Sequence, residues 1–137
     1  LKQNPRWKVF LLGALIRSST RTNNPSVQKV RYQSLTHAYA LNRHYAERLA
    51  YEPWQGIVND TLFRPLTDDV YAMYPMCAFQ KGFTSDNYKY PQLVLIRNFL
   101  GGLKRIQKAT EFYQRHKFGV IAAHVLIILF LIVLLMR

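Results

Sequence analysis

The sequence predicts an all-α membrane protein with one C-terminal transmembrane helix and no compact independent globular domain. Three observations carry that prediction. Phe118–Met136 is an unbroken run without a charge. Apolar residues recur at three- and four-residue spacing over 25–51 and again over 92–113. The stretch between them is divided by prolines, dense in aromatics and without helical period.

Residues 1–24 read as a basic N-terminal arm carrying a short apolar helix. "LKQNPRWKVFLLGALIRSSTRTNN" bears Arg and Lys, ends in Ser and Thr, and has no acid. That is the composition of an organellar transit peptide. On a helical wheel Lys2, Arg6, Arg17 and Arg21 fall within about 100°. The helix is expected over Trp7–Arg17, between Pro5 and the Ser18–Asn24 loop. The apolar run Val9–Ile16 is too short to span a membrane, and Arg17 and Arg21 stand where a secretory signal would carry its small-residue cleavage site. A first residue Leu1 is read as the mark of a processed chain whose arm is retained and held by a partner.

Residues 25–52 read as an amphipathic helix. Asn24 suits an N-cap and Pro25 a first helical position. Val27, Val30, Ser34, Ala38, Leu41, Tyr45 and Leu49 form one stripe, with Tyr32, Leu35, Tyr39 and Ala46 beside it. Pro53 sets the expected end near Tyr51.

Residues 53–91 read as an extended Pro/Tyr-rich connector cut by Pro53, Pro65, Pro75 and Pro91 and turned by Gly56 and Gly82. Its aromatics, among them Trp54, Phe63, Tyr71, Tyr74, Phe79, Phe83, Tyr88 and Tyr90, are expected to bury against neighbouring subunits. Thr67 is expected to cap a short helix through Asp68–Tyr74, with Asp68 and Asp69 at its N-terminus.

Residues 92–117 read as a basic amphipathic helix. Leu93, Ile96, Leu100, Leu103, Ile106, Thr110 and Tyr113 line one face, and Gly101-Gly102 is a place to bend. The helix is expected to run into or close to the span, Phe118–Met136. Fourteen of those 19 residues are Leu, Ile, Val or Phe. As a helix the run reaches roughly 28 Å, close to the ~30 Å hydrocarbon core of a bilayer.

Charge supplies an expected topology. Residues 1–46 hold eight Lys or Arg and no acid; 47–86 hold six acids against three bases; 87–137 hold eight bases and one acid, Glu111. Lys104, Arg105, Lys108, Arg115 and Lys117 precede the span and only Arg137 follows it. Residues 1–117 are therefore expected on the matrix-like side, with the C-terminus facing the intermembrane space. The five basic residues form a candidate anionic-lipid headgroup site, with cardiolipin as the lipid in an inner membrane.

Several constellations could carry chemistry. Gly119, Ala122, Ala123 and His124 are candidates for helix packing inside the membrane: small residues allow close approach, and a neutral imidazole hydrogen-bonds across helices. An axial haem ligand at His124 is the sharper alternative, but the span offers no second histidine. His37 and His44, read on one helix, are seven residues apart and so over ~10 Å apart along its axis, too far to share a metal ion. The lone Cys77 excludes an internal disulfide and any Cys-based zinc site within the chain, and fits a reducing compartment. Asn59-Asp60-Thr61 matches a glycosylation sequon that matters only in a secretory lumen. No phosphate-binding glycine loop, serine elbow or catalytic carboxylate pair is present, so no catalytic residue, metal or cofactor is assigned.

The acid-free stretch 1–46, the aromatic connector and "RHKFGVIAAHVLIILFLIVLLMR" resemble, at the level of a class, the nuclear-encoded single-span accessory subunits of mitochondrial inner-membrane complexes. That resemblance implies a non-catalytic role in stabilising or assembling a respiratory-chain complex or the ATP synthase, with the complex's other subunits and anionic lipid as partners. Three other readings compete: a tail-anchored outer-membrane adaptor or import component, a haem-binding electron-transfer subunit using His124, and a basic RNA-binding component of a membrane-attached ribosome. The long span disfavours the last, and neither nucleic acid nor a small-molecule substrate is expected. Residues 1–117 alone are expected to lack the partners their apolar faces need.

Overall fold

A computed structural model describes residues 6–53, 63–80 and 91–136. The elements are β1 (Val9–Arg21), β2 (Val27–Leu41), α1 (Arg43–Tyr51), β3 (Val70–Met73), α2 (Pro91–Phe99) and α3 (Gly102–Leu135). The chain is not all-α. A mixed sheet closes into a small barrel, and one long C-terminal apolar helix stands beside it.

β1 replaces the expected helix Trp7–Arg17. Its inward residues are Val9, Leu11, Ala14 and Ile16, a two-residue alternation that slips by one at Gly13. A short apolar run does not distinguish strand from helix by spacing alone, and here tertiary pairing decides. β2 likewise replaces most of the expected helix 25–52. Gln28, Val30 and Tyr32 point inward at period two, which the helical stripe through Val27, Val30 and Ser34 concealed. The basic arm is thus no appendage, because from Val9 onward it is a core strand.

Asn24-Pro25, which suits a helix start, instead lies in the turn between β1 and β2. Asn24 Oδ1 accepts the Ser26 N–H at 2.9 Å, and Val27 N–H donates to Asn24 O at 3.0 Å. Thr22 Oγ1 lies 2.8 Å from Val27 O and accepts the Asn24 N–H at 3.2 Å. An Asn that caps a helix also closes an Asx turn through the same local bond. The helical cap falls instead at Asn42, whose Oδ1 accepts the His44 N–H at 3.0 Å and starts α1.

β3 closes the sheet. It pairs parallel with β1 (Val9↔Val70, Leu11↔Ala72) and antiparallel with the start of β2 (Val27↔Met73, Lys29↔Tyr71). Asp68–Tyr74 is therefore mostly strand and not the expected short helix. For β3 to reach both, the long β1–β2 hairpin must curl until its open end and its turn end meet. Four register shifts between Leu11 and Ser18, and a positive φ of 64° at Leu35, supply the bend.

The barrel has its own core of Val9, Leu11, Ala14, Ile16, Val30, Tyr32, Tyr45, Phe63, Val70, Ala72 and Met76. Phe63 meets Tyr32 and Tyr39 edge-on at 5.8 and 5.0 Å. This corrects both the absence of a globular unit and the connector laid over neighbours. Phe63, Tyr71, Tyr74 and Phe79 bind the barrel or α3 of this chain, while Trp54, Asn59, Phe83, Tyr88 and Tyr90 lie outside the described residues.

α2 and α3 are separated where the glycine pair stands. Gly101 and Gly102 have φ of 82° and 86°, values that cost other residues most. The predicted face of α3 is offset from the real one. The buried residues are Leu103, Gln107 and Glu111, at four-residue intervals, and α3 packs against β1.

Candidate functional site

The candidate site is the root of the long helix, where barrel and apolar segment meet. Residues Tyr74–Gln80 form a strap between β1 and α3. Cys77 and Ala78 N–H groups donate to Leu12 O at 3.1 and 3.0 Å, fixing the strap to the bulged strand. From the other side, Glu111 Oε1 accepts the Met76 N–H at 2.9 Å, and Gln107 Nε2 donates to Ala78 O at 3.0 Å. His37 Nε2 lies 3.0 Å from the same carbonyl oxygen and donates to it in the Nε2–H tautomer. Gly13 is what lets the strap approach. A Cβ there would collide with Ala78 O and His37 Nε2.

Burial pushes the Glu111 carboxyl above its usual range, while the Met76 N–H and the nearby Arg115 and Lys108 charges oppose that rise. Glu111 was visible in the sequence only as a solitary acid among eight bases. Gln107 and Gly13 carried no signal that distinguished them from surface or loop residues.

Three of the five predicted headgroup residues lie against the strap. Lys104 and Lys108 place their ammonium groups 5.2 and 5.6 Å from the centre of the Phe79 ring, and the Arg115 guanidinium stacks 3.8 Å over Tyr74. Three of the five thus also clamp the strap. Along a helix, Arg115 lies ~5 Å above Phe118, Lys108 ~15 Å and Lys104 ~21 Å.

The helix changes character at His116, whose φ of −114° and ψ of 21° are not helical. Before it, α3 is docked on the barrel. After it, the most apolar window has a mean hydropathy of 3.1 and none of it is buried within the chain. This is one helix long and apolar enough to span a membrane. Gly119, Ala122 and Ala123 share a face, and a side chain at Gly119 would meet nothing within 4 Å. His124 is turned about 140° from Gly119 and so leaves that face. Its Nδ1 lies 2.7 Å from Val120 O, one turn back, which satisfies one ring nitrogen inside the helix itself.

His37 sits on β2 and His44 on α1, so they do not share an element; His44 faces Glu47 at 3.8 Å. Among the described residues no group of three His, Cys, Asp or Glu side chains could hold a metal. A cleft of about 410 Å³ opens at the Lys8 end of the barrel, bordered by Trp7, Lys8, Tyr45, Arg48 and Asp69. Two of its cations are paired, Lys8 with Asp69 at 3.5 Å and Arg48 with Glu52 at 3.6 Å.

Compared with known proteins, the chain matches no family model, no curated protein and no solved structure.

Proposed function

We propose that the chain is a non-catalytic accessory subunit of a mitochondrial inner-membrane complex of the respiratory chain or ATP synthase. The barrel is its matrix-side module, and the apolar half of α3 is its contact with lipid and with core membrane subunits. One observation carries the reading. A single helix is held tightly by its own domain over one half and left wholly uncovered by it over the other. A helix that is apolar all round needs lipid or another protein around it.

Two features support the finer placement. The acid-free, basic stretch 1–46 and the basic residues before the span fit a face turned toward anionic lipid on the matrix side. The stripe Gly119, Ala122 and Ala123 offers a neighbouring helix a close approach. The reading assigns no chemistry to the chain.

Native gel electrophoresis of detergent-solubilised mitochondria, with mass spectrometry of the band containing this chain, tests it. Co-migration with subunits of one oxidative-phosphorylation complex is expected. Migration as a lone polypeptide, or recovery with outer-membrane import components, would overturn it.

A further inference from the structure

The β1–β2 turn and the membrane end of α3 are far apart in sequence but border one niche. It holds about 180 Å³ and is bordered by Arg21, Thr22, Asn23, Asn24, Val27 and Arg115. Two bonds bring the turn there. Tyr74 N–H donates to Ser26 O at 2.8 Å, and the Tyr74 ring carries the Arg115 guanidinium at 3.8 Å. Ser26, Tyr74 and Arg115 thus form a chain of contacts from turn to helix. Arg21 is exposed, and its side chain takes no partner among the described residues. Among the described residues nothing acidic borders the niche.

Depth decides what such a niche can meet. Arg115 lies three residues before Phe118, ~5 Å above the hydrocarbon edge and inside the headgroup layer. The turn borders the same niche. Two guanidinium groups and the side-chain amides of Asn23 and Asn24 suit a phosphate bearing one negative charge, because guanidinium binds phosphate oxygens in bidentate fashion. We propose that this niche seats the phosphodiester of an anionic phospholipid headgroup, with Arg21 and Arg115 as its cationic walls. The inference rests on the single-span reading above. It replaces a diffuse basic collar by one built seat, and it brings in Arg21, ninety-four residues before Arg115 in the chain.

The seat fixes the barrel as well as the lipid. A headgroup held between turn and helix ties the hairpin tip to the membrane surface. It thereby limits swivelling of the barrel about the non-helical joint at His116. A soluble phosphate offers the same anion without the acyl chains, and the test separates the two.

The full-length chain would be reconstituted into bilayers of equal phosphatidylglycerol and phosphatidylcholine, extracted gently, and its retained lipid counted by native mass spectrometry. Phosphatidylglycerol should be enriched. Arg21→Gln should cut that enrichment about fivefold, the effect of one basic residue at the surface. Arg31→Gln, on the exposed outside of β2, should leave it as in the wild type. Equal retention of both lipids, an unchanged enrichment in Arg21→Gln, or displacement of the lipid by inorganic phosphate alone would overturn the proposal while leaving the span intact. Failure of the chain to enter the bilayer, scored by flotation before any lipid is counted, would instead overturn the single-span reading and the seat with it.

Discussion

Gly13→Ala tests the joint between barrel and helix at its tightest point. The added methyl would overlap Ala78 O and His37 Nε2, and one of these is backbone, which a rotamer change cannot relieve. The strap must move off β1. Overpacking of this kind costs about 1–3 kcal/mol. Moving Ala78 also stretches its N–H bond to Leu12 O at 3.0 Å and the Gln107 bond to its carbonyl at 3.0 Å, each worth ~1 kcal/mol net. The sum is about 3–5 kcal/mol, a large part of the 5–15 kcal/mol typical of a small domain. For a unit of this size, 3 kcal/mol lowers the midpoint by about 12–24 °C. Thermal melts of the full chain in detergent, followed by near-ultraviolet circular dichroism, would measure it. Gly119→Ala is the matched control, since nothing lies within 4 Å of its added methyl. A Gly13→Ala midpoint equal to that of Gly119→Ala would refute the strap as the joint.

Three further outcomes follow from the same geometry. Phe63→Ala removes a ring with no exposed surface from between Tyr32 and Tyr39, so denaturant titration should show a loss of about 3–5 kcal/mol. Glu111 is raised by burial above the usual carboxylate range, so the folded state holds its proton more tightly than the unfolded state. The associated stability is full below the ordinary glutamate value and is lost as pH rises through the raised one. Glu111→Gln keeps an oxygen for the Met76 N–H and should flatten that acid-side dependence in melts taken across the range. Gly119→Leu should leave the melt of the purified chain unchanged. In native gels, however, it should lower the share of the chain that co-migrates with its complex, because it blocks the small-residue face.

The sequence announced its two ends unequally. The apolar half of α3 was legible because nineteen residues without a charge have few physical outcomes. The break at Gly101-Gly102 was legible because positive φ is where glycine differs from other residues. The barrel was not. Val27–Leu49 satisfies a helical stripe and a two-residue alternation over different subsets, and only pairing with β1 and β3 chooses between them. Asn24-Pro25-Ser26 reads equally as cap or turn, because both use the same side-chain bond to a nearby N–H. β3 is four residues long and gains its conformation from the strands on either side. At the proposed headgroup seat, Arg115 followed from its distance to Phe118. Arg21 did not, because its place beside Arg115 depends on how far the hairpin curls, which is set by bulges that no spacing rule marks.

Depth-resolved spin labelling tests the central claim most directly. With Cys77 replaced by Ser, a label at Ile127→Cys in the chain reconstituted in vesicles should be relaxed by dissolved oxygen and shielded from a water-soluble nickel chelate. A label at Phe112→Cys, four residues before the non-helical joint, should show the reverse. Free access of the nickel chelate to position 127, or shielding of both positions alike, would contradict a barrel rooted at the water's edge on a helix that crosses the bilayer.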